Sequence, residues 1–252
     1  ANITFTNNTT TATESYAYQL VTVRGQYFNN ATGVAFNGKA ATVVNGVTDE
    51  LDGSDQPTGY QLITVKAPFD AGTGKVAVTT PAGTGTSADD YKVIEPVIST
   101  ISTPEGYVEK TVLTISGTFF TQYWDETLNA VAEKAPVVKF NGAQVTASTY
   151  TDTEITVTVP DGARSGSLTV MSGSGESEPM AFSVLAPVLS DVDPAAVYAG
   201  QSVTITGTNF INVTSMSFGG IQISDYTVSL TNEETGDGTI TFTAPVVNHN
   251  TP

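Results

Sequence analysis

The octet VTVRGQYF, residues 21–28, returns as LTISGTFF at 113–120 and as VTITGTNF at 203–210. Each copy reads apolar, x, apolar, x, Gly, x, x, Phe. The alternation buries one face of a short strand. The glycine ends that strand at a place that needs either a positive φ or a close backbone approach. The aromatic then folds back onto the core.

Further signatures follow each octet in the same order. VAFNG (34–38), VKFNG (138–142) and MSFGG (216–220) read as a strand running into a two-residue hairpin turn, which Asn-Gly and Gly-Gly accept. ITVKAP (63–68), ITVTVP (155–160) and ITFTAP (240–245) are alternating strands ended by a proline that cannot donate to a ladder. Copies one and two continue with GKVAVTTPAG (74–83) and GSLTVMSGSG (166–175), then close on YKVIEP (91–96) and FSVLAP (182–187). The closing proline also opens the next copy, so the spacing predicts stiff junctions with almost no linker. Gly25 lies 92 residues before Gly117, and Gly117 lies 90 before Gly207. A repeat of that length, with turn signals every 8–12 residues and helical periodicity missing almost everywhere, predicts a β-sandwich.

The ordered signatures V-x-I-x-G-x-x-F, V-x-F-G-G and I-x-V-x-x-P resemble the IPT/TIG domain, an immunoglobulin-like sandwich. The resemblance covers essentially the whole chain. It implies an all-β fold of three tandem sandwiches over residues 1–95, 96–186 and 187–252. The third stops at APVVNHNTP (244–252) and so lacks the last two strands of its siblings. Two explanations are open: the chain is truncated there, or a like subunit donates strands to the open edge. The segment ANITFTNN (1–8) has the alternation of a donor strand, but its distance from Gly25 makes it the first strand of copy one.

Charge narrows the function. Acids outnumber bases 25 to 9, a net charge of −16, and such a surface repels a phosphate backbone, so no nucleic-acid partner is expected. No apolar run reaches the roughly 18 residues of a membrane span. No cysteine is present, which removes disulfides, thiolate metal sites and cysteine nucleophiles together. The one histidine, His249, stands in a polar tail, so a Ser-His-Asp triad has no assembly. No enzyme activity is expected. The resemblance implies a bacterial or archaeal surface protein, with these sandwiches as the stalk of a surface glycan-binding protein or adhesin. A polysaccharide or another surface component would be its partner. Alternatives are a subunit of a surface filament, surface layer or phage tail built by strand complementation, and the accessory domains of a polysaccharide-degrading enzyme.

Function on a repeated scaffold sits where the copies differ. Gly25 to Gly38 and Gly207 to Gly220 are each 13 residues, but Gly117 to Gly142 is 25. The surplus in copy two lies within TQYWDETLNAVAEKAP (121–136). It holds the only tryptophan, Trp124, between Tyr123 and Asp125. Asp125 as N-cap, with Leu128 and Val131 at helical spacing, predicts one or two turns of helix. Trp124 with Tyr123 and Asp125 could bind a sugar ring, or the tryptophan could tuck against its own or the neighbouring sandwich. Copy one has its surplus at TDELDGSDQPTGY (48–60). There Asp49, Asp52, Ser54 and Asp55 could offer oxygens to Ca²⁺, or form a solvated acidic hairpin. NEETGDG (232–238) in copy three reads as a long exposed hairpin.

Overall fold

The computed structural model describes the backbone of residues 4–7 and all of residues 13–246. Ile3 and His249 lie outside the described residues. The first sandwich pairs two sheets. One runs Thr4–Asn7, Leu20–Gly25, Pro57–Lys66, Thr42–Leu51, antiparallel throughout. The other runs Glu14–Tyr16, Gly83–Ile94, Thr73–Thr80, Gly33–Phe36, Lys39–Ala40, with its first pair parallel. The segment Thr4–Asn7 pairs with the octet strand, Phe5 opposite Val23, which is the place its spacing predicts.

The second sandwich repeats the plan. Its sheets are Val97–Ile101, Val112–Thr118, Glu154–Thr158, Thr149–Tyr150 and Glu105–Gly106, Met180–Val184, Gly166–Met171, Val137–Phe140, Ala143–Thr146. The third keeps one full sheet, Val188–Asp193, Ser202–Thr208, Asp237–Thr243, Tyr226–Asn232. Of its other sheet, the described residues form only the hairpin Met216–Phe218 with Ile221–Ile223. Val137–Phe140 has a neighbour on either side, whereas among the described residues Met216–Phe218 has one, in line with the open edge expected from the sequence.

Each sandwich closes on its own core. Val21, Val23, Leu113, Ile115 and Val203 are fully buried, and Phe28, Phe120 and Phe210 are 3%, 0% and 1% exposed. Of the two roles open to the octet glycine, the structure takes the close approach. A Cβ on Gly25 would strike the Phe28 ring, and one on Gly117 or Gly207 would lie 2.5 or 2.6 Å from Cζ of Phe120 or Phe210. The left-handed residue is instead the one before the phenylalanine: Tyr27, Phe119 and Asn209 have φ of 63, 60 and 60°. That reversal turns the ring back over the glycine.

The hairpin turns match their sequences. Phe36 pairs with Lys39, Phe140 with Ala143 and Phe218 with Ile221, leaving two turn residues each time. All six turn residues have positive φ, as primed turns require. Asn37 and Asn141 do more: their Nδ2 atoms donate to Ala71 O at 2.9 Å and Ser165 O at 2.7 Å.

Candidate functional site

The insert of copy two is a β-hairpin, not a helix. Gln122–Asp125 pairs with Ala130–Glu133, Trp124 opposite Val131. Asp125 Oδ1 accepts from Thr127 N at 2.8 Å and Leu128 N at 3.1 Å. Those are the bonds an N-cap makes, so the capping signal was sound, but the turn it caps ends at Asn129 with φ 50°. The alternation in QYWD and AVAE then carries the chain into strands.

Strand geometry separates the three candidate sugar contacts. Tyr123 and Asp125 share one face, where Tyr123 OH donates to Asp125 Oδ2 at 3.3 Å. The Tyr123 side chain lies so close over Gly173 that a Cβ there would be 2.5 Å from its own Cβ. Trp124 is on the opposite face with Gln122 and is half-buried. Gln122 Oε1 accepts from Tyr16 OH of the first sandwich at 2.5 Å. Glu126 in the turn pairs with Lys66, and Lys92 Nζ stands 4.9 Å from the Phe119 ring centroid. The hairpin therefore reaches back onto the preceding sandwich, and Tyr123 and Trp124 do not form one platform.

In copy one the acidic surplus is a hairpin between Thr42–Leu51 and Pro57–Lys66. Asp52 Oδ1 closes its tip by accepting from Ser54 N at 2.8 Å and Gln56 N at 3.0 Å, which holds its pKa below the usual range. Asp49 Oδ1 accepts from Gln61 Nε2 at 3.2 Å, and Asp55 is a turn residue at φ 59°. The three carboxylates do not converge, and no group of three or more His, Cys, Asp or Glu among the described residues is arranged to hold a metal. Beside them, Arg24 forms a fork on Glu50 at 2.8 and 2.9 Å and stacks 3.4 Å from the Tyr60 ring centroid. The Arg24 and Thr58 hydrogen bonds hold the Glu50 carboxyl down at about 2, against an ordinary 4.5. A depressed carboxylate stabilises the fold above its unfolded pKa and loses that contribution as pH falls toward its folded pKa. Glu50→Gln should therefore cost about 0.5–1 kcal/mol at neutral pH, since surface pairs are screened. That gap from the parent should close between pH 4.5 and 2, read as urea midpoints.

A polar cluster built around a buried serine lies where sandwich two meets sandwich one, and residue spacing did not mark it. Ser174, 1% exposed, sits in the tip that follows Gly166–Met171. Its Oγ accepts from Ala17 N at 3.0 Å and donates to Ile94 O at 2.5 Å, both in the first sandwich. Beside it Glu95 accepts from Gly72 N at 2.6 Å and presses on Gly175. Burial pushes the Glu95 carboxyl up, against the pull of that N–H. Glu176 N donates to Asp70 Oδ1 at 3.3 Å, and the Glu176 side chain holds Lys139 at 2.6 Å.

The second junction is built on Tyr107, 8% exposed. Its hydroxyl lies 2.8 Å from both Asn209 Oδ1 and Thr235 O, so one proton serves two acceptors. Asn209 Nδ2 donates to Ala186 O at 3.0 Å, and Asn212 Nδ2 to Val108 O at 2.6 Å. The 232–238 turn, expected to stand free in solvent, is thus part of a module boundary.

Two sandwiches and, among the described residues, one full sheet and a hairpin of a third, set in tandem on proline junctions, define a row of immunoglobulin-like modules. The chain belongs to the IPT/TIG domain family, whose model matches residues 96–184 and again 187–251. Among solved structures it resembles the SGBP-B protein of the Bacteroides ovatus mixed-linkage glucan utilization locus, in complex with a mixed-linkage heptasaccharide. That match is 15% identical over 92% of this chain and 64% of the other, with a TM-score of 0.27. The surface glycan-binding protein PbSGBP-B from Prevotella bryantii is 14% identical over 86% and 53%, TM-score 0.29. The titin I9–I11 tandem is 9% identical over 94% and 86%, TM-score 0.31. The chain spans about half the length of the glycan-related structures it matches. No curated protein matches it.

Proposed function

We propose that the chain is a non-catalytic module of an extracellular cell-surface protein, a stiff spacer divided at residues 95/96 and 186/187. On this reading a polysaccharide or another surface component is the partner of the whole protein, and these sandwiches set where that partner is met. The first junction carries the proposal. A buried serine hydroxyl that satisfies both an N–H and a C=O of the neighbouring module fixes an orientation, because an unmade buried hydrogen bond is costly. The boundaries favour the same view: two residues separate the strands ending at Ile94 and starting at Val97, and three separate Val184 from Val188.

Ser174→Ala tests it. The substitution leaves Ala17 N–H and Ile94 C=O unpaired, a cost of about 1–3 kcal/mol. Hydrogen exchange at the Ala17 amide should quicken. Small-angle scattering should pass from one arrangement of sandwiches to a spread of them. A parent chain whose scattering already demands a spread of angles would end the spacer reading.

A further inference from the structure

The chain holds three asparagine–glycine pairs, at 37–38, 45–46 and 141–142. Such a pair can react with itself. The glycine nitrogen attacks the asparagine Cγ, the new N–Cγ bond closes a cyclic imide, and the side-chain nitrogen leaves as ammonia. Water then opens the ring at either carbonyl. The product is aspartate, or isoaspartate, in which the backbone runs through the former side chain. One water is taken up and one ammonia released, with no oxidant and no enzyme. Glycine favours the attack because no Cβ crowds its nitrogen. In a folded chain the rate turns on whether the side-chain amide can swing onto that nitrogen.

Two of the three amides are held away from it. Asn37 and Asn141 occupy primed turns, at φ 46 and 42°. Their Nδ2 atoms donate to Ala71 O at 2.9 Å and Ser165 O at 2.7 Å. Both side chains also lie over a glycine, Gly74 and Gly166, so closely that a Cβ on either would strike them. Moving either amide breaks a hydrogen bond and loses that contact.

Asn45 is placed differently. It is exposed in Thr42–Leu51, the strand that ends its sheet. The ladder slips on both sides of it: Val43 pairs with Val65, Asn45 with Thr64 and Thr48 with Leu62. Three steps from Asn45 to Thr48 face two from Thr64 to Leu62, so Gly46 and Val47 share a bulge. Among the described residues no hydrogen bond holds the Asn45 side chain. A Cβ on Gly46 would meet nothing within 4 Å, so the space beside the pair is open. None of the 10 residues of this strand is buried, so its backbone can open locally without disturbing the core.

We propose that Asn45 is a site of spontaneous covalent modification, converted to aspartate and isoaspartate while Asn37 and Asn141 stay intact. Either product adds a negative charge to a chain already at −16. Isoaspartate also lengthens the backbone by a methylene at the bulge. The strand beyond it, which carries Asp49 and Glu50, then loses step with Gln61 and Arg24.

Peptide mapping by mass spectrometry tests this, on the full chain held in warm, mildly alkaline buffer. The peptide with Asn45 should gain the mass of an amide turned to acid, and an isoaspartyl methyltransferase should label it. Its rate should exceed those at Asn37 and Asn141 about tenfold or more, since breaking a hydrogen bond first adds to their barrier. The rate should rise with pH, because the attacking nitrogen must lose its proton. Gly46→Ala should slow it about tenfold, with an unchanged thermal melt, because the methyl crowds the nitrogen but meets open space in the fold. In urea, with the turns unfolded, the three sites should react at similar rates. Equal rates at the three sites in the folded chain, or an Asn45 that outlasts the other two, would overturn the proposal.

Discussion

Phe120→Ala should lower the stability of the middle sandwich by about 3–5 kcal/mol, the range for a fully buried phenylalanine truncated in place. The ring is 0% exposed and shares its core with Leu113, Ile115, Val138 and Ile155. It cannot be replaced by settling of the chain, because the residue before it is held left-handed and the Gly117 backbone forms the floor beneath it. A urea titration that follows this sandwich should show an earlier midpoint with an unchanged slope. Phe119→Ala should cost much less, since its half-buried ring rests against Lys92. If the two substitutions cost the same, the octet phenylalanine does not close the core.

Gly117→Ala is expected to be nearly as damaging, for the opposite reason. The added methyl meets the Val97 carbonyl oxygen as well as the Phe120 ring. A backbone oxygen cannot rotate away, so the strand Val97–Ile101 must draw back and strain its ladder, at about 1–3 kcal/mol or more. Gly25→Ala differs, because the three atoms nearest its Cβ all belong to the Phe28 ring. Once Phe28→Ala has removed that ring, Gly25→Ala should add little. Gly117→Ala should keep most of its cost on a Phe120→Ala background. Coupling energies from the two double-mutant cycles, read as urea midpoints, separate the cases. Equal coupling in both would mean that the Val97 oxygen does not set the limit.

The succession of strand signatures along the chain, the two-residue turns and the single hairpin left of the third copy's second sheet among the described residues were legible because each rests on local chemistry repeated along the chain. The left-handed residue in the octet was not. Propensity points to the glycine, whereas tertiary packing puts the burden on tyrosine, phenylalanine and asparagine at 27, 119 and 209. Asp125 signalled a cap truthfully, but a cap does not say whether a helix or a tight turn follows. Least legible were the junctions. Ser174 in an SGSG tip reads as solvent-facing loop, and its partner Ala17 is 157 residues away. Only the fold brings such groups together, so no spacing in the chain announces them.

The serine at the first junction also changes what it means for one module to unfold. Two peptide groups of the first sandwich find their partner only while the second is folded. The free energy of each module is then its own plus a term shared with its neighbour, as in a one-dimensional array with nearest-neighbour coupling. Of the three, the middle sandwich shares such a term with the sandwich on either side of it. Damage to the middle therefore spreads in both directions, while fraying from either side is resisted by the module beyond it.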